Sequence, residues 1–411
     1  MRIGVLAYHC VPNFGAQLQC VSTIGYLKNI GHEPIVLNWY PLDLENMYSR
    51  RISCEQVAEH NKFAKQNMPL TCLCRTEDDL IAEVERLNLD AVFAGSDALF
   101  KYVPESKRVS FSKKKLRFVK RKLLTVEKIE GNAFFGEFLA KISKKVKAVA
   151  FSVSSQNCDF SKMNNVEKIA MEIALDNYAK ISVRDEWTKK MVQTVTGRAD
   201  VDVTPDPVFA FNQNNYLSLP SKKEICDKYS LPEKYVLISF WTKYLKKDYI
   251  QGFARELQKN GLTPVAFPMP EYLIDFDLDC KINLPLSPLD WYALIKYSHG
   301  YIGERMHPIV VCLHNSVPFF CFDEYGTFKK AFCGLRKKYI PSSSKTYHIL
   351  ENAGLSEWLY SYLDEKTELP DSVDVVRKFM QFPVQECQKF AEGTLNRYNQ
   401  GMKTILEILN A

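Results

Sequence analysis

No stretch of this 411-residue sequence stays apolar long enough to cross a bilayer. The longest hydrophobic run, Pro308 to Phe322, is interrupted by His314, Asn315 and Pro318, and a spanning helix needs about 20 residues. The opening MRIGVLAYHC turns polar too soon for a secretory leader. No G-x-G-x-x-G follows a predicted strand, which disfavours dinucleotide binding, and there is no P-loop, H-E-x-x-H or G-x-S-x-G. No repeat of solenoid period occurs. The 12 cysteines form no framework: Cys72 and Cys74 make one C-x-C pair without a second pair at zinc spacing. Cys312 and Cys321 sit in apolar runs, as small hydrophobes do. These features predict reduced thiols, a cytoplasmic protein and no metal site. The acidic triplet Asp275, Asp277 and Asp279 has no second ligand set and reads as a solvated turn.

Charge is only mildly unbalanced, at +6 with a pI near 8.5. No interleaving of aromatic and basic residues marks an RNA-binding surface, so a nucleic-acid partner is not expected. The cations are nevertheless uneven. Lys113 to Lys122 reads KKKLRFVKRK, and Lys141, Lys144, Lys145 and Lys147 follow. Such a run is either a solvated face or a patch for anionic lipid headgroups at the inner face of a membrane.

What is present is alternation. RIGVLAY is a strand-length apolar run, the pattern of a strand buried on both faces. A polar loop, HCVPNFG, leads into a helical pattern closed by Gly31, and EPIVLNW is the next strand. Asp90–Gly95, Lys147–Val153, Lys180–Arg184 and Ala199–Val203 continue the series. After a polar stretch a second alternating block begins at Tyr235 and runs through VPFFCF, and the last forty residues are predicted helical. The expected fold is α/β: two doubly wound, Rossmann-like domains (1–212 and 213–370) with a cleft between them, in the GT-B-like arrangement. A long C-terminal helix in 371–411 is expected to pack back on the first domain.

In such sheets ligands bind beyond the carboxyl ends of the strands, so those loops carry the candidates. Asn13, Phe14 and Gly15 precede a helix start whose N–H groups favour an anion, with Gln17 in its first turn; taken alone, this loop reads better as an ordinary tight turn with an asparagine cap. Gly95, Ser96 and Asp97 end an apolar strand, where the carboxylate is either a general acid or base or a helix cap. Ser154 offers a hydroxyl to a sugar. Arg184 offers a two-pronged contact to a carboxylate or phosphate, or an ion pair to Asp185 or Glu186. Arg305, Met306 and His307 open another helix, where a guanidinium, an imidazole and free N–H groups converge. A buried core histidine is the plain alternative for His307.

Five segments in order carry a family resemblance. GVLAYHCVPNFGAQLQC, VFAGSD, ISVRDEWTKKMV, DVTPDPVF and IGERMHPIVVCLHNSVPFF resemble motifs of the polysaccharide pyruvyl transferase family, from about Arg2 to Asp323. Pro308 stands where that family often has a small residue, and proline suits a first helical turn. The resemblance implies phosphoenolpyruvate as co-substrate, with no other cofactor and no metal. It implies a sugar acceptor of a surface polysaccharide, such as capsule or exopolysaccharide, often linked to a lipid diphosphate, and a cyclic pyruvate ketal as product. Catalytic roles then fall to His307 as acid, Asp97 as base and Arg305 as donor anchor. Arg184 and Met306 would hold the donor, and Asn13, Phe14, Gly15, Gln17, Gly95, Ser96 and Ser154 the rest of the site. Two rivals remain on the sequence: a nucleotide-sugar glycosyltransferase of the same shape, and a non-catalytic scaffold of glycan assembly.

Overall fold

A computed structural model describes residues 1–112, 117–156, 158–241, 245–323, 327–329, 338–340, 344–361 and 368–410. The first sheet is built from β1 (Arg2–Leu6), β2 (Glu33–Val36), β3 (Ala91–Asp97), β4 (Lys147–Val153), β5 (Lys180–Val183) and β6 (Asp202–Val203). Every pairing is parallel, in the spatial order β2-β1-β3-β4-β5-β6. In β1 the four residues after Arg2 are buried, because helices cover both faces of a parallel sheet. In register, Val5 lies between Val36 and Phe93.

The second sheet repeats the scheme with β7 (Tyr235–Ser239), β8 (Thr263–Ala266), β9 (Cys280–Lys281), β10 (Gly300–Gly303), β11 (Phe319–Asp323) and β12 (Leu359–Ser361). Its order is β9-β8-β7-β10-β11-β12, again all parallel. In each sheet the chain starts centrally, winds one way, then returns to the other side. The reversals fall between β1 and β3 and between β7 and β10, and a doubly wound sheet opens a crevice at that point. The expected doubly wound α/β architecture is what the chain adopts.

The two halves are tightly joined. Phe14 stacks on Trp291 of the second half at 5.2 Å between ring centroids. Gln56 Nε2 donates to the Leu286 carbonyl at 2.9 Å, and its Oε1 accepts from the Leu286 N–H at 2.7 Å. The C-terminal segment forms two helices, Ser372–Met380 and Val384–Asn410, separated around Pro383. Proline has no N–H to donate to the preceding turn, so it starts the second helix more readily than it continues the first. The longer helix touches both halves: Cys387 Sγ donates to the Leu313 carbonyl at 3.3 Å, and Tyr398 meets Phe151 of β4 edge-on at 5.6 Å.

Of the basic run, residues 113–116 lie outside the described residues, while Arg117–Lys120 pairs antiparallel with Val109–Ser112 as a hairpin. The acidic triplet lies on the loop before β9, where Asp275 pairs with Lys281 at 3.4 Å and Asp277 with Lys247. No described helix is long and apolar enough to cross a membrane.

Candidate active site

The two reversal points face each other across a cavity of about 270 Å³. Asn13, Phe14, Gly15 and Asp97 line it from the first half, and Arg305, Met306, His307 and Lys345 from the second. Among the described residues no cluster of three or more His, Cys, Asp or Glu side chains is arranged to hold a metal ion.

On the first wall, Asn13 caps the Phe14–Asn29 helix, its Oδ1 accepting from the Ala16 N–H at 3.2 Å. Gly15 in that first turn lets the second half approach closely, since a β-carbon there would meet the His307 ring. Gln17 does not reach the cavity. Its amide donates to the carbonyls of His9 and His60 at 3.0 Å each, and its Oε1 lies 2.7 Å from His60 Nδ1. It stitches the helix to the neighbouring loop, which corrects the expectation of a substrate contact.

At the end of β3 the expectations separate. Gly95 faces Phe151, whose carbonyl a β-carbon would meet at 2.3 Å, so it serves strand packing. Ser96 Oγ donates to the Ser152 carbonyl at 2.6 Å. Ser154 Oγ donates to Asp185 Oδ2 at 2.9 Å. Both hydroxyls are buried and used internally. Asp97 does face the cavity, and its backbone adopts φ +85°. Arg305, at φ +79°, and Gln156, at φ +52°, also line the cavity in left-handed backbone. Such conformations cost of order 1–3 kcal/mol each and persist where surrounding contacts over-determine them.

Arg184 is the principal correction. Its side chain is 3% exposed, donating to Asp206 Oδ2 at 2.6 Å and to Asp97 Oδ1 at 3.2 Å. Neither Asp185 nor Glu186 is its partner, because Asp185 caps the Glu186–Thr196 helix through the Thr188 N–H at 2.7 Å. The guanidinium is therefore a strut beneath the cavity floor and not a free anion contact. Asp206, singled out in the sequence only as part of DVTPDPVF, completes the strut: it also accepts from Gln19 Nε2 at 2.6 Å.

On the second wall, β10 runs into the Met306–Asn315 helix. Glu304 turns inward and accepts from the Trp241 N–H. Arg305 turns outward, its guanidinium carbon 4.3 Å from the centre of the Trp241 ring and one nitrogen 3.0 Å from Glu271 Oε1. Stacking and a carboxylate together fix its direction. The first N–H groups of the helix open toward the same space. His307 Nε2 is buried without a hydrogen-bond partner among the described residues, 4.0 Å from Asp206 Oδ2.

Lys345 went unread in the sequence. It begins the Lys345–Asn352 helix, whose cap Ser344 accepts from the Tyr347 N–H at 2.9 Å and donates to Asp323 at the end of β11. Its ammonium stands 4.0 Å from Asp97 Oδ1. Nothing local distinguishes it from the chain's other lysines; only the return of its helix to the cavity does.

The electrostatics assign these groups different work. Burial alone would raise the Asp97 carboxyl, but the Arg184 guanidinium and Lys345 ammonium draw it down to about 2. A carboxylate that acidic is a feeble base, so Asp97 as proton acceptor gives way to Asp97 as a fixed negative charge. Burial, reinforced by Arg184, lowers the Lys345 ammonium to about 8 against the pull of Asp97. Burial also holds the His307 imidazole below its ordinary 6.5, with Asp97 and Asp206 opposing. Near neutral pH the cavity therefore presents one poised ammonium, one oriented guanidinium and one neutral imidazole.

The fold is shared with two-domain enzymes of sugar nucleotides. A UDP-GlcNAc 2-epimerase from Methanocaldococcus jannaschii superposes with a TM-score of 0.52 at 9% identity, over 100% of both chains. A UDP complex of UGT89C1 from Arabidopsis thaliana superposes at 0.51 with 10% identity, over 99% of each chain. Identities this low establish the GT-B-like fold alone. No curated protein matches the sequence. The polysaccharide pyruvyl transferase family matches residues 13–324. The match covers most of the chain and both walls of the cavity up to β11. The chain belongs to the polysaccharide pyruvyl transferase family.

Proposed function

We propose that this transferase moves the enolpyruvyl unit of phosphoenolpyruvate onto a sugar of a surface-polysaccharide precursor, carried on a lipid diphosphate, and closes a pyruvate ketal. One observation carries this reading. Arg305, Lys345, the start of the Met306–Asn315 helix and a buried imidazole nitrogen without a hydrogen-bond partner among the described residues converge on one small cavity. A cavity of about 270 Å³ lies at the low end of ligand pockets. It favours a compact anion over a whole nucleotide sugar, and so the pyruvyl donor over the glycosyltransferase alternative.

In this scheme Arg305 takes the donor carboxylate and Lys345, with the helix N–H groups, the phosphate. His307, neutral at rest, accepts the proton of the attacking sugar hydroxyl. As an imidazolium facing Asp97 and Asp206 it is stabilised, and it delivers that proton to the methylene carbon of the enol. The hydroxyl oxygen bonds to the carbon that bore the phosphate ester. The second hydroxyl then displaces phosphate, which leaves with the second proton. Carbon C3 becomes a methyl group, and the ketal and inorganic phosphate are the products. The cationic side chains supply the counter-charge throughout.

Incubation with phosphoenolpyruvate and candidate lipid-linked oligosaccharides tests this directly. Mass spectrometry should find the added pyruvate, with phosphate released in equal amount. Glycosyl transfer from a nucleotide sugar, with phosphoenolpyruvate left intact, would establish the rival instead.

A further inference from the structure

A second surface of the first half is unlike the rest. The Asn165–Leu175 helix, which links β4 to β5, carries Val166, Ile169 and Ile173 at 76%, 54% and 64% exposure. Their spacing places them on one helix face. The face opposite is already used, since Met171, Ala174 and Leu175 are buried in the core of the first half. A row of branched aliphatic side chains turned to solvent marks a contact surface more often than chance.

The row does not stand alone. The turn leading into this helix is fastened to the base of the hairpin: Ser106 Oγ donates to the Lys162 carbonyl at 3.1 Å, Asn164 Nδ2 to Glu105 Oε2 at 3.3 Å, and Lys107 pairs with Asp159 at 3.3 Å. The described hairpin strands add Val109 and Phe118, at 50% and 73% exposure. Among the described residues of this segment Lys107, Arg108 and Arg121 are paired with Asp159, Glu105 and Glu127, while Arg117, Lys120 and Lys122 are exposed cations in no ion pair. Exposed aliphatic and aromatic groups bordered by cations of one sign are what an anionic bilayer surface recognises.

We propose that the Val166, Ile169 and Ile173 face and the hairpin together dock the protein on an anionic lipid bilayer. The apolar side chains enter the headgroup boundary and the cations hold lipid phosphates. The helix follows β4, so it begins at the carboxyl edge of the first sheet, the edge that bears the cavity. This docking is independent of which donor the cavity binds.

Co-sedimentation of the full chain with vesicles tests it. Binding is expected with phosphatidylcholine mixed with phosphatidylglycerol, to weaken with salt, and to be far weaker with phosphatidylcholine alone. The triple substitution V166S/I169S/I173S should lower binding to the anionic vesicles at least about tenfold. Independently, K120E/K122E should lower it similarly and remove most of its salt dependence. Turnover on a water-soluble acceptor should stay unchanged in both variants, which also reports that they fold. No sedimentation of the wild-type chain with anionic vesicles overturns the proposal. So does a concentration-dependent dimer in solution that the triple substitution dissolves, which would assign the face to a second copy of this chain.

Discussion

Gly15 lies directly beneath the imidazole of His307: a β-carbon built on Gly15 would sit 2.1 Å from the ring's Cγ and 2.3 Å from Nδ1. One residue opens the leading helix of the first half, and the other is in the first turn of a helix of the second. The asparagine-aromatic-glycine loop and the arginine-x-histidine turn are thus two halves of one contact. The glycine is required because a ring from the other domain occupies the space a side chain would fill.

Gly15→Ala should therefore act through His307. The ring must move, and a displacement of about 1 Å at a reacting group can cost about 10²-fold in rate. His307→Ala should itself lower turnover about 10²–10⁴-fold. In the double variant the alanine at position 15 should add almost nothing, because the obstructed ring is gone. Steady-state turnover of the four proteins measures the coupling; losses that simply add would separate the two residues.

Arg184 and Arg305 should fail in different ways. Arg184→Met removes the ion pair of buried Asp206 and leaves Asp97 with Lys345 alone, at a cost of about 3–5 kcal/mol, read as a lowered denaturation midpoint. Arg305→Lys keeps its charge but gives up the stacking on Trp241, at a smaller cost in stability of about 0.5–1 kcal/mol. It loses the planar fork, so affinity for phosphoenolpyruvate should fall about tenfold or more by calorimetry. A stable Arg184→Met protein that fails only in donor binding would return that arginine to the ligand.

Donor affinity should decline as pH rises through about 8, where Lys345 loses its proton. Lys345→Arg should move that limb to higher pH, since guanidinium stays charged. Lys345→Met should abolish the limb and weaken binding at every pH. Titration of donor affinity against pH in the three proteins reads this out, and an unchanged limb in Lys345→Met would assign it elsewhere.

Stability should fall with acidification from about 6.5. Burial lowers His60 and His314 to about 3. Between that value and the ordinary 6.5 of the unfolded chain, the folded state binds fewer protons than the unfolded one. Protonation therefore favours unfolding, and the loss grows as pH drops through this window. Asp97 adds to it only below its ordinary 3.8, as its carboxyl titrates toward about 2. Denaturant midpoints across the acid range should slope accordingly; a flat profile between 6.5 and 3 would mean these imidazoles titrate as exposed ones do.

The sequence by itself determined the alternation of strand and helix, the two doubly wound halves, and which loops end at the carboxyl edges. These follow from local patterns: apolar runs of strand length, helix periodicity and caps. It also placed Asn13, Asp97, Arg305 and His307 at strand ends. Only the tertiary structure decided which of those groups face the cavity. Ser96, Ser154 and Gln17 look as available as Asn13 until their hydroxyls and amide are seen bonded to backbone or to Asp185. Arg184 is answered by Asp97 and Asp206, 87 and 22 residues away in sequence. Lys345 reaches Asp97 from a helix near the far end of the chain. The physical reason is common to all: a side chain's charge, basicity and freedom depend on what is packed within a few ångströms, and those neighbours come from remote parts of the sequence.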